Sequence, residues 1–300
     1  MRIRATFWIA GTFLLAGAIK AQEYRVDSRL VLVPVTVVDG RGAHIRGLTK
    51  ESFAVFEDGH PQAIAAFYTE DTPCAVGLVM DVSGSLKRWL DREKDSIHAF
   101  LELSNPQDEY FVTTVASTPS VLSSGSDARE IAERVRAVRA EGWTALYDGI
   151  RFAADQVRRS RRACRALFVL SDGADNHSRI TKQELMRFLV EADVQVFSIA
   201  IGETMAGRKG VQLIEDQRGI VLLSDLADKT GGLSIRVRDS DDPADAARRI
   251  SRALRDRYVI GFQASDSSDS AKWRRIQVKT DRSRATVYAR SGYRSSAAIE

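Results

Sequence analysis

Two periods of apolar side chains alternate along this chain. Short unbroken runs, Ala75–Met80 and Ala166–Leu170, have the length and composition of strands buried on both faces of a parallel sheet, and Val194–Ile201 reads as another strand. Between and around them the apolar positions recur at helical spacing over Leu86–Ser104, Asp127–Ala140, Ala145–Ser160, Lys182–Glu191, a segment near Leu222–Thr230, and Pro243–Arg255. Asp108–Ser117 contains one more strand and Leu233–Val237 another. This alternation predicts an α/β fold, a Rossmann-like doubly wound and mostly parallel sheet, over residues 74–256.

The two ends carry strands without helices. Leu30–Val38, Phe53–Glu57 and Gln62–Thr69 precede the α/β region, in a segment spanning residues 22–73. Tyr258–Ala264, Trp273–Thr280 and Ala285–Arg290 follow it, in residues 257–300, with the Ser/Asp-rich stretch 265–270 as a hairpin loop. Pro34 argues against a central place for the first strand, and Asp58-Gly59 predicts a tight hairpin turn. Neither end is long enough to be comfortable alone, so the expectation is one β-sandwich made from both, with the α/β domain inserted between them. Gly231-Gly232 is a helix C-cap signal, and the Gly-rich, charged stretch Gly202–Gly219 is expected to be a surface loop.

Composition changes this picture mainly at the N-terminus. Arg2 and Arg4 precede an apolar stretch of about 15 residues, Ala5–Ile19, followed by Ala21, which is the pattern of a secretory signal peptide over residues 1–21. A spanning helix needs about 20 apolar residues; an uncleaved anchor is the alternative, and no later segment is long enough to span. Export, to the periplasm or beyond, is the expectation. The leader also carries most of the basic excess: 44 bases against 40 acids become 41 against 40 once Arg2, Arg4 and Lys20 are set aside. A strongly basic nucleic-acid-binding surface is therefore not indicated, and the cluster Arg158, Arg159, Arg161, Arg162 and Arg165 suits a solvated helix C-terminus.

Three motifs carry the candidate chemistry: Asp81-Val-Ser83-Gly-Ser85, Thr144 in Gly-Trp-Thr-Ala-Leu, and Asp172 in Ser-Asp-Gly-Ala-Asp. Both aspartates follow buried strands, at the carboxyl ends where open parallel sheets gather ligands. Carboxylates and hydroxyls suit a hard dication, whereas zinc and copper prefer nitrogen and sulfur, and no His or Cys falls in the three motifs. Two carboxylates do no more than balance a dication, and with three neutral hydroxyls they leave positions for water or an outside carboxylate. Taken singly, Ser85 and Thr144 could be no more than helix N-caps.

Asp81, Ser83, Ser85, Thr144 and Asp172 together resemble the metal-ion-dependent adhesion site of the von Willebrand factor type A family, residue for residue. That resemblance implies Mg²⁺, or Mn²⁺ or Ca²⁺, held by the two serines and the threonine, with the aspartates bound directly or through water and a partner's acidic group completing the shell. The wider chain, from about Leu30 to Tyr293, is similar to a bacterial secreted subgroup with this domain. It shares Phe53-Ala-Val-Phe-Glu-Asp-Gly59, Leu254-Arg-Asp-Arg-Tyr258 and Ala289-Arg-Ser-Gly-Tyr293, and departs from it at Leu86, where a Met often stands. In the resembling fold the strands that follow Cys74 and Cys164 are neighbours, which would bring the only two cysteines together. Counted back from the aspartates, however, the cysteines are offset by one residue, which could set them on opposite faces.

Other chemistry is poorly served. There is no Gly-x-Ser-x-Gly elbow, no Walker loop, and none of His44, His60, His98 or His177 lies in a base motif. The expectation is therefore not an enzyme but a metal-dependent adhesion or assembly module that docks an acidic group of a protein partner. A metal-dependent hydrolase of envelope material and a domain whose ion only braces loops are the alternatives. Trp89 and Trp143 are expected to be core or contact residues.

Overall fold

The computed structural model describes residues 30–69, 71–140, 142–202, 211–265 and 272–294, without the side chains of residues 85 and 211–216. The expected leader and most of the 265–270 loop lie outside these residues. In chain order the strands are β1 (Leu30–Val38), β2 (Phe53–Glu57), β3 (His60–Gln62), β4 (Ile64–Tyr68), β5 (Cys74–Asp81), β6 (Glu109–Val115), β7 (Ser120–Gly125), β8 (Cys164–Ser171), β9 (Gln195–Ile201), β10 (Ser234–Val237), β11 (Tyr258–Gln263), β12 (Trp273–Thr280), β13 (Thr286–Ala289) and β14 (Gly292–Arg294). The helices are α1 (Leu90–Leu101), α2 (Ala128–Arg136), α3 (Leu146–Arg158), α4 (Lys182–Glu191), α5 (Val211–Thr230) and α6 (Pro243–Arg255).

The six-stranded sheet runs β10-β9-β8-β5-β6-β7, parallel except for β7. Strands β5, β8 and β9 are buried on both faces, as the apolar runs of β5 and β8 require; β9 buries Gln195 and Ser198 along with its apolar residues. Alternate residues feed two cores. Val76, Leu78, Met80, Phe168 and Ile199 meet α1, α2 and α6 through Ile97, Phe100, Val135 and Ile250. Val79, Leu167, Val169 and Val196 meet α3, α4 and α5 through Ile150, Val157, Leu189 and Leu223.

The ends combine as expected. Sheet β13-β1-β11-β4 and sheet β14-β12-β2-β3 each mix strands from before and after the α/β region. Val33, Val35, Phe53, Val55, Ile260, Phe262 and Ile276 form the core between them. The Asp58-Gly59 turn has both residues at positive φ, 47° and 87°, which closes the β2–β3 hairpin.

Several expectations need correction. Strand β1 lies between two partners, contrary to the edge place that Pro34 suggested. Its pairing with β13 begins only at Val35, so Pro34 faces β11 on one side and no ladder on the other. The expected strand 62–69 is two strands, because the chain leaves one sheet after Gln62 and enters the other at Ile64. Strand β7 escaped notice because a largely exposed edge strand needs little apolar pattern. Part of the expected loop 202–219 is helical, since α5 begins at Val211.

Cys74 and Cys164 are directly opposite in the β5–β8 register and form a disulfide, with their Cα atoms 4.5 Å apart. The apparent one-residue offset sits at the other end of the strands: Met80 pairs with Leu170, so Asp81 stands level with Ser171 and Asp172 lies one residue further on.

Candidate metal centre

Asp81 is the last residue of β5 and is fully buried. One carboxylate oxygen accepts from the Ser83 backbone N–H at 3.1 Å and the other from Ser171 Oγ at 2.7 Å. Ser171 Oγ in turn accepts from the Gly173 N–H at 2.9 Å, which fixes its lone hydrogen on Asp81. Beyond Ser83 the chain makes a 3₁₀ turn, Gly84–Leu86, before α1. Ser85 lies in that turn, and its side chain is outside the described residues.

Thr144 and Asp172 stand on the two neighbouring loops. The Gly84 N–H donates to Gly142 O at 3.2 Å, joining the first loop to the second. Thr144 is buried; its N–H donates to Asn176 Oδ1, while its carbonyl accepts from the N–H groups of Asn176 and His177, all at 3.1 Å. Asp172 is half-buried and accepts from the Ala174 N–H at 2.9 Å. Thr144 does not cap α3. The first N–H groups of that helix are taken instead by Asp175 Oδ2, at Tyr147, and Ser178 Oγ, at Asp148. Three loops are thus stitched into one rim by protein hydrogen bonds.

Electrostatically the rim is short of positive charge. Burial pushes the Asp81 carboxyl up to about 7, and the negative charge of Asp172 pushes in the same direction, against the serine hydrogen bonds. Among the described residues no three His, Cys, Asp or Glu side chains form a metal-holding cluster. An ion here would rest on two carboxylates helped by hydroxyls, a donor set that fits a hard dication and not zinc. Trp143 projects outward from the rim, 65% exposed, with its backbone N–H held by Ser117 Oγ, whereas Trp89 is buried under the cation of Arg92. His177 is exposed and joins the site through its backbone N–H.

Sequence reasoning missed five contributors. Ser171 was visible only as a strand end, and Asp175 with Ser178 only as loop polar residues. Gly219, on α5, lies directly against the third loop: a Cβ there would sit 2.2 Å from Asp172 O, and one on Gly173 (φ +77°) would sit 2.3 Å from Gly219 O. Since backbone atoms must yield, Gly219→Ala should destabilise the protein by about 2 kcal/mol, outweighing the roughly 1 kcal/mol that Ala gains in a helix. Urea unfolding measures this, and a variant as stable as the parent would show that α5 does not press on the rim. The fifth is Glu93, whose spacing was legible: Leu86, Leu90, Glu93, Ile97 and Phe100 form one helical stripe, and an acid on it is anomalous.

No curated protein matches the sequence. Residues 76–174 match the von Willebrand factor type A domain family. Among solved structures, a von Willebrand factor type A protein from Catenulispora acidiphila superposes with a TM-score of 0.52 at 13% identity, over 91% of this chain and 75% of that one. The pilus adhesin SpaC from Lactobacillus rhamnosus GG, in its open conformation, gives 0.51 at 8% identity, over 84% of this chain and 49% of its own. The conserved hypothetical protein BatB from Bacteroides thetaiotaomicron gives 0.48 at 17% identity, over 60% of this chain and 98% of its own. The first two likenesses are of fold, and the family match falls on the strands and loops that build the rim. Residues 76–174 match the von Willebrand factor type A domain family, and the six-stranded sheet completed around them has the von Willebrand factor type A fold.

Proposed function

We propose that this chain is an exported, metal-ion-dependent protein-binding module, whose rim holds Mg²⁺ or another hard dication and uses it to dock an acidic group of a partner. The observation that carries this reading is Asp81: fully buried, bonded through neutral donors, and facing the like charge of Asp172. A buried carboxylate in that position calls for a counter-cation. Asp81, Ser83, Ser85, Thr144 and Asp172 are the residues that would hold it. A bound dication supplies a directional, charge-assisted contact for an incoming carboxylate.

Two features favour docking over the alternatives. The three loops are already joined by Gly84–Gly142 and Thr144–Asn176 hydrogen bonds, so an ion is not needed to brace them. The ring of His177 is exposed and the bond tying this residue to the site comes from its backbone, so this histidine is not positioned as the base of a hydrolytic reading. Export is supported by the Cys74–Cys164 disulfide, a bond that persists in oxidising compartments. Among the described residues no helix is long and apolar enough to cross a membrane.

The test is a pull-down from envelope extract with and without chelator, beside calorimetric titration of Mg²⁺ and Mn²⁺. Asp81→Ala should lose both ion binding and chelator-sensitive capture while keeping its secondary structure. Full metal-dependent capture by that variant would sink the assignment.

A further inference from the structure

Glu93 occupies the first turn of α1, where the helix rises from the first loop of the rim, and its N–H donates to Trp89 O at 2.9 Å. The side chain points inward: the residue is 1% exposed, and neither carboxylate oxygen has a hydrogen-bond partner. This is costly in either protonation state, because a carboxylate lacks donors and a carboxylic acid lacks both an acceptor for its O–H and a donor for its carbonyl. The charges that act on it are those of Asp81 and Asp172, both negative, and they add to burial in pushing its carboxyl well above the usual range. Three acids therefore share one region with no cation of the protein among the charges that act on Glu93. Proteins keep such a group when something outside the polypeptide satisfies it.

We propose that Glu93 is a further carboxylate of the cation centre, reaching the ion through bound water from the α1 side and adding a third negative charge to the site. Water mediation follows from the spacing, since Glu93 does not join Asp81 and Asp172 in a cluster close enough for direct coordination. The inference rests on the metal-binding reading above and deepens it. With Asp81 and Asp172 alone, a dication would be just neutralised and loosely held. A third carboxylate makes it a resident ion, bound before any partner arrives, and the partner's acid then completes an occupied site. Glu93 acts as a positioning residue, holding the water that fills the ion's inner face, so its removal should cost affinity for the ion itself.

Titration of the full chain with Mn²⁺ and Mg²⁺ by calorimetry, together with the Tm of the metal-free protein, separates the outcomes. Glu93→Gln keeps the volume and removes the charge; Glu93→Met removes polarity as well and guards against misfolding of the first variant. Both should bind the ions about 10–100-fold more weakly than the parent. Their metal-free Tm should be equal or higher, because a buried group without partners has gone. A merely structural Glu93 would give the reverse, a lower metal-free Tm with unchanged affinity. If either folded variant binds Mn²⁺ as tightly as the parent, the third-carboxylate proposal is overturned while the metal site stands. If the parent binds neither ion, both fall together.

Discussion

Replacing Cys74 and Cys164 together by alanine should lower the unfolding free energy by about 4 kcal/mol. The disulfide closes a loop of sequence separation 90, and the chain-entropy model gives close to the upper end of the usual 2–5 kcal/mol for a loop of that length. It cross-links β5 to β8, the two strands that deliver Asp81 and Asp172, at their ends away from the rim. For a protein of this size the Tm should fall by roughly 10 °C. The register need not change, because it is held by seven paired positions and by the cores on both faces. Ion binding should therefore survive in the variant at low temperature. Thermal unfolding with and without reductant checks the size of the effect, and a double variant with the parent's Tm would mean that the cross-link constrains nothing.

In the absence of divalent ions, stability should fall as the pH rises from about 4 to 7. The folded-state pKa of Asp81, about 7, lies above the ordinary aspartate value of 3.8, so the folded protein holds this proton more tightly than the unfolded chain. The contribution is complete below the unfolded pKa and is lost as the pH climbs through the folded one. A shift of that size corresponds to about 4 kcal/mol, and Glu93 shifts in the same direction. A bound dication competes with these protons, so Mg²⁺ should restore stability at pH 8 and do little at pH 4. Comparing the parent with Asp81→Asn in chelator isolates the effect from ordinary acid unfolding. The parent-minus-variant difference should slope downward with pH; a flat difference would mean that Asp81 is not held among like charges in a dry site.

These expectations draw unequally on sequence and structure. The parallel α/β domain was legible because two apolar runs were too short for helices and too continuous for one-sided strands, and α6 matched its expected span, Pro243–Arg255, to the residue. The insertion between two β ends followed from chain economy, since neither end had enough strands to bury a core. Less was visible wherever burial was partial. Strands β7 and β14 carry almost no apolar signal, and the helical start of α5 lies in a charged, Gly-rich stretch that resembles a loop.

In the rim, residue type and order name the candidate donors, because affinity for a hard cation is a property of oxygen ligands and the strand ends that carry them are set by local pattern. Which atom meets which is another matter. That Ser171 faces Asp81, that Cys74 faces Cys164, that Glu93 is sealed beside two other acids and that Gly219 rests on Asp172 all depend on register and on how helices lie across loops. Such contacts join residues far apart in the chain. No local period encodes them, so the chemistry was written in the sequence while its geometry, its charge balance and its covalent brace were decided by the tertiary fold.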